Sequence, residues 1–248
     1  MATPEEPAEK TPRYPSYEVL LATQQWVRPS RDSGQLLFWT LDGPLTSAIS
    51  VMPSPSTPEG PLEPYYDQAR ATWHPIAHLP ITEPKVSSIS VRVYQLDEWI
   101  TVWCEEHEHH SDLDDAADIG DDEVEWTTVT TEDETPQREL IKCCGTYRPG
   151  SNSSFGIVVK PSNMAQDAGF VTVHDVLETV HPWLMELKWE IGTAMAILDG
   201  AGDEPVGLDG GFVVNSNAFE SLVIERKEEW MALKRGAKGP REVHISAS

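Results

Sequence analysis

Phe170 to Leu198, FVTVHDVLETVHPWLMELKWEIGTAMAIL, is the stretch whose reading decides the fold. Val173, Val176, Leu177 and Val180 recur at i, i+3, i+4 and i+7, which lines four apolar side chains along one face of a helix. Thr172, with Asp175 three residues on, has the form of a capping box in which Asp replaces the longer Glu. Pro182 has no amide hydrogen and its ring collides with the preceding turn, a cost of about 3 kcal/mol or more inside a helix. The stretch therefore predicts two helices, one over roughly 173–180 and a second with Pro182 at its first position that ends at Asp199-Gly200. Leu184 and Leu187 carry the apolar face onward. Gly192 costs about 1 kcal/mol relative to Ala and is expected to mark a close contact.

Upstream, the chain reads mainly as strands. Val86–Tyr94 alternates, with Ile89, Val91 and Val93 on one face and Ser88, Ser90, Arg92 and Tyr94 on the other, the pattern of a half-buried strand. Trp99–Cys104 (WITVWC) reads as its partner strand. Gln35–Leu41 is a short apolar run bounded by Gly and Pro turns and is expected to be a buried strand containing Trp39. Tyr17–Trp26 suits a short helix that ends before Pro29. Val51–Pro64 holds five Pro and reads as an extended loop outside any sheet, and Trp73–Pro84 as an extended segment. Leu140–Tyr147 and Phe155–Lys160 return to strand character. Ala201–Gly211 is a Gly/Asp loop, and Phe219–Leu233 fits a helix and a hairpin equally.

The expected class is α+β: a mainly antiparallel sheet with two consecutive helices from the C-terminal half packed on it. Its core is expected to contain Trp39, Ile89, Val91, Val93, Val173, Val176, Leu177, Val180, Leu184 and Leu187. At 248 residues, the domain reading is a mobile tail over 1–16, a single domain over 17–235 and a mobile tail over 236–248. The domain is interrupted at about 105–139 by a disordered acidic insertion, with Trp126 and Val129 in VEWTTVTT offering a weak strand near its end. From Glu105 to Glu134 there are fourteen acidic residues and no Lys or Arg, which is most of a net charge of −23.

That charge opposes direct binding to nucleic acid, where cations must neutralise phosphates, and to anionic membrane surfaces; a basic protein partner fits it. Cys104, Cys143 and Cys144 make no disulfide framework, and no secretory signal or 18-residue apolar run is visible. The expected compartment is the cytoplasm or nucleus rather than the secretory route.

Trp39-Thr40-Leu41 followed by Pro44, the Pro-punctuated 75–84 segment leading into Val86–Val93, the string Val171-Thr172-Val173-His174-Asp175-Val176-Leu177 and the closing 219–230 element together resemble an uncharacterised family of fungal domains of unknown function. The resemblance covers roughly 17–233, with Thr40 standing where that family is expected to carry Asp. It implies an intracellular α+β domain of a fungal protein and brings no active-site residues with it.

Candidate chemistry is sparse. His107, His109 and His110 lie among Glu105, Glu106, Glu108, Asp112, Asp114 and Asp115, ligand types that could gather zinc or nickel. A flexible acidic run lacks the rigid scaffold that such a site needs, so composition favours a solvated polar segment. Cys143-Cys144 lacks CxxC spacing and reads as buried small residues. No nucleophile elbow, phosphate loop or dinucleotide fingerprint is present, and no cofactor is implied. His174 and Asp175 point about 100° apart on a helix, and His181 reads as a helix-start residue. The leading expectation is a non-enzymatic binding or scaffold domain. The alternatives are a small-molecule-binding or catalytic domain, and divalent-metal binding through the 105–115 run.

Overall fold

Thr172 and Asp175 close the expected box. The Asp175 carboxylate accepts the Thr172 amide at 2.8 Å and the Thr172 hydroxyl at 2.6 Å, while the Thr172 Oγ1 accepts the Asp175 amide at 3.2 Å. The helix that follows, Val173–Glu186, differs from the expectation: it runs through Pro182, and the chain breaks at Leu187 before a second helix, Lys188–Leu198. Pro182 removes only the bond to the Glu178 carbonyl, and both residues lie on the exposed face. Val180, His181 and Leu184 are buried on the other face, so packing on both sides of the proline outweighs one lost bond.

The computed structural model describes residues 13–108, 124–130, 135–151, 155–162 and 169–236. The elements are mixed helix and mostly antiparallel sheet, an α+β fold. The helices are α1 (Tyr17–Ala22), α2 (Leu45–Ala48), α3 (Tyr94–Glu106), α4 (Val173–Glu186), α5 (Lys188–Leu198) and α6 (Lys227–Lys234). The chain divides into two compact units, one of Met1–Val91, Val158–Met185 and Asp209–Ser248, the other of Arg92–Ile157 and Glu186–Leu208.

A four-stranded sheet has the order Gly156–Val159, Ile89–Val93, Ser221–Arg226, Phe212–Asn215. Ile89, Val91 and Val93 are fully buried, as the alternation requires. Phe212–Asn215 pairs antiparallel with Ser221–Arg226, placing Val214 opposite Ile224. This strand is buried throughout and was not read from the sequence. The ambiguous 219–233 region takes both forms in turn, a strand to Arg226 and then α6. A three-stranded sheet joins Leu37–Trp39, Ile49–Val51 and Glu63–Pro64. Pro64 thus does pair, opposite Ser50 at the sheet edge, where a missing amide hydrogen costs least. Phe38, Met52, Val213 and Trp230 form one core cluster, and all ten residues expected in the core are buried. Residues 13–16 are described and tied down: the Pro15 carbonyl accepts the Ser87 amide, and Ser16 caps α1.

The second unit corrects two expectations. Trp99–Cys104 is the middle of α3 instead of a strand. WITVWC alternates locally, but Leu96, Trp99 and Trp103 recur at helical spacing once the preceding turn is counted, and that longer period wins. Within the expected acidic insertion, Glu125–Thr130 and Pro136–Cys143 form an antiparallel hairpin, while 109–123 and 131–134 lie outside the described residues, as do the 1–12 and 237–248 portions of the tails. Thr146–Tyr147 adds a third strand, and α3 packs along α5. Gly192 is the expected close contact: a Cβ there would lie 2.4 Å from the Val206 carbonyl oxygen.

Candidate functional site

The face of α3 that carries Trp99, Val102, Trp103, Glu106 and His107 has the spacing i, i+3, i+4, i+7 and i+8, so five side chains look the same way. They form one wall of a cavity of ≈ 590 Å³ in the second unit. The opposite wall is the turn between the Pro136–Cys143 and Thr146–Tyr147 strands, and Ile197 and Asp203 complete the lining from the end of α5 and the loop after it.

That turn has unusual backbone. Cys143 pairs with Thr146 across a two-residue loop, Cys144-Gly145, in which φ is +49° and +79°. Two successive positive values make the primed hairpin turn that matches strand twist. Glycine adopts it freely, whereas a left-handed residue with a side chain costs roughly 1–2 kcal/mol. The strained residue is the cysteine. Its Sγ lies 3.8 Å from that of Cys143, Cys143 being buried and Cys144 exposed.

His107 meets this pair from the other wall. It caps the C-terminus of α3, its ring stacked on Trp103 with centroids 4.4 Å apart. The His107 Nδ1 is 2.7 Å from the Trp103 carbonyl oxygen, which can only accept, so Nδ1 carries the hydrogen and Nε2 keeps its lone pair. Trp103 in turn donates from Nε1 to Thr146 Oγ1 at 3.4 Å, and Thr146 donates to the Cys143 carbonyl at 2.9 Å. Helix and turn are thereby linked through one hydrogen-bonded chain. One ring nitrogen of His107 and the sulfurs of Cys143 and Cys144 all lie within 4.8 Å of one another.

Of the three histidines grouped in the sequence, only His107 lies among the described residues. His107 stands with two cysteines from a distant hairpin, and His109 and His110 lie outside the described residues. The expectation that Cys143-Cys144 are two buried small residues holds for Cys143 alone, because the turn leaves Cys144 exposed. A legible signal was Gly145, whose place after Cys144 suits a tight turn that would gather both thiols.

The other histidines belong to the first unit. His181 is buried, accepting from Trp39 Nε1 at 3.1 Å on Nδ1 and facing the Gly43 carbonyl at 3.0 Å on Nε2; burial lowers its basicity. His174 packs on Trp73 with centroids 4.6 Å apart and lies 3.4 Å from the Tyr65 hydroxyl. Asp175, beside it, is spent on the helix cap and also accepts the Ser162 amide at 2.8 Å. A second concavity of ≈ 480 Å³ lies beside Tyr17, Trp26, Arg28 and Glu220. Its one cation, Arg28, is paired with Glu83 at 3.1 Å, and burial together with Glu220 pushes the Tyr17 phenol up, which keeps it neutral.

Among the described residues no helix is long and apolar enough to cross a membrane. Compared with family models, curated proteins and solved structures, the chain matches none.

Proposed function

We propose that the protein is a non-enzymatic binding domain that takes a small, partly aromatic molecule into the cavity beside α3. The observation that carries this reading is the lining: Trp99, Trp103 and Tyr147 supply flat apolar surface, and Glu106, His107, Cys144 and Asp203 converge as polar groups. Its volume of ≈ 590 Å³ falls within the roughly 300–1,000 Å³ of small-molecule sites. Two carboxylates on the rim, in a chain of net charge −23, favour a neutral or cationic ligand. Indole is a suitable neutral probe. In a spectrum of the nine tryptophan side-chain N–H groups, it is expected to shift Trp99 and Trp103 selectively and saturably. Shifts confined to other tryptophans, or none at millimolar indole, overturn the reading.

The acidic segment supports attachment to a basic protein partner, since its fourteen carboxylates face no Lys or Arg within 105–134. Replacing the Asp and Glu residues of 109–123 by Asn and Gln spares the hairpin and should abolish salt-sensitive partner capture; an unchanged partner set counts against it. No disulfide joins Cys104, Cys143 or Cys144, which supports action in the cytoplasm or nucleus. Membership of the fungal family of unknown function is likewise a proposal, carried by the Trp39–Pro44 and Val171–Leu177 strings.

A further inference from the structure

We infer that His107, Cys143 and Cys144 form a binding site for a thiophilic divalent cation of the zinc class, with three protein ligands and a fourth position open to the cavity. Its basis is separate from the organic-ligand reading above: either can hold without the other.

Three observations converge. The first is the spacing of the sulfurs. Two thiolates each about 2.3 Å from a tetrahedral zinc stand about 3.8 Å apart, and the Sγ atoms of Cys143 and Cys144 are 3.8 Å apart. An imidazole nitrogen in the same shell would lie about 3.5 Å from each sulfur. The three ligand atoms, one of them a ring nitrogen of His107, lie within 4.8 Å of one another, so a small shift of the Cys144 turn toward the end of α3 closes the set while His107 keeps its contact with the Trp103 carbonyl.

The second is the preparation of the imidazole. Metal-bound histidines commonly donate their other ring N–H to a carbonyl or carboxylate, which fixes the tautomer. The 2.7 Å contact of His107 Nδ1 with the Trp103 carbonyl does this and leaves Nε2 as the donor atom. The third is the backbone. Cys144 holds φ at +49° next to a glycine that takes the same region without cost, and this is what brings the two adjacent thiols to one side of the turn.

Donor type selects the cation. Two thiolates and an imidazole suit zinc, and cobalt(II) as its spectroscopic stand-in, over magnesium or calcium, which need oxygen ligands. Binding displaces the thiol protons: one M²⁺ and two Cys–SH give the bis-thiolate and release two protons, so affinity rises with pH. Three protein ligands leave one tetrahedral position, which water or a cavity ligand would fill.

The test is cobalt(II) titration of the full, reduced chain, followed by zinc competition. The expected result is one equivalent with tetrahedral d–d bands and a thiolate charge-transfer band. The exposed Cys144→Ser should halve the charge-transfer band and weaken zinc at least tenfold. His107→Ala should weaken zinc comparably while keeping the charge-transfer band. Cys104→Ser and the double variant His109→Ala with His110→Ala should change neither. Near-ultraviolet dichroism of the tryptophans confirms folding of each variant, and Cys144→Ser is the decisive one because Cys143 is buried. Absence of a charge-transfer band in the parent, its persistence at full strength in Cys144→Ser, or loss of binding only in the His109/His110 double variant would overturn the site. Indole shifts are read on the metal-free protein, so failure here leaves that reading standing on its own result.

Discussion

Trp39 donates its indole hydrogen to Nδ1 of His181 over 3.1 Å, joining positions 142 residues apart in the chain. The bond fixes the imidazole tautomer, since Nδ1 must accept and Nε2 then donates to the Gly43 carbonyl at 3.0 Å. A residue read from the sequence as a helix start is a buried tie between α4 and the 37–51 sheet.

His181 makes stability depend on pH. Burial holds its imidazole below the ordinary value of 6.5. The unfolded chain therefore binds more protons than the native one, so this contribution is complete above about 6.5 and is lost as pH falls through the folded value. Urea midpoints should drop between neutral and mildly acidic pH. His181→Asn, which can still accept from Trp39 but does not titrate, should flatten that part of the profile. His181→Phe leaves the Trp39 N–H unpaired and should cost about 1–3 kcal/mol at pH 7.5.

Asp175 ends three donors: the Thr172 amide and hydroxyl, and the Ser162 amide. Asp175→Ala should destabilise by about 1–3 kcal/mol, beyond a solvent-exposed cap, because the Thr172 donors left behind are buried and the Ser162 amide is half-buried. Thr172→Ala should cost about 1 kcal/mol. Equal losses for the two variants in urea unfolding would show that the Ser162 bond contributes nothing.

Gly192→Ala places a methyl 2.4 Å from the Val206 oxygen, at a point where the Val206 amide also donates to Gly192 at 3.0 Å. Overpacking of this kind costs roughly 1–3 kcal/mol. Gly207, with open space around its Cβ position, is the control, and Gly207→Ala should change the midpoint by under about 0.5 kcal/mol. Comparable loss at both would place the strain elsewhere.

Leu177 is fully buried on α4. Leu177→Asp buries an unpaired carboxylate and should abolish cooperative unfolding, a loss of more than about 4 kcal/mol. A folded variant with a normal thermal transition would show that this face does not carry the core.

The signals legible in the sequence were those closed within a few residues. The alternation of Ile89, Val91 and Val93 fixed which face of that strand is buried, because side-chain direction has period two whatever the strand packs on. Thr172 and Asp175 set the start of α4 because a cap is completed within one turn. Glu105 to Glu134 set the charge of the molecule by count alone. Where the outcome turned on partners distant in sequence, tertiary structure decided. Pro182 stays inside α4 because Val180, His181 and Leu184 are buried around it. Trp99–Cys104 carries both a strand alternation and, counted from Leu96, a helical period, and the packing of α5 along α3 accompanies the second. His107 came forward by the same route. In the sequence it belongs to an acidic run, but the last turn of α3 and the strained turn at Cys144 place its ring near two thiols some 36 residues on, a proximity that no local pattern encodes.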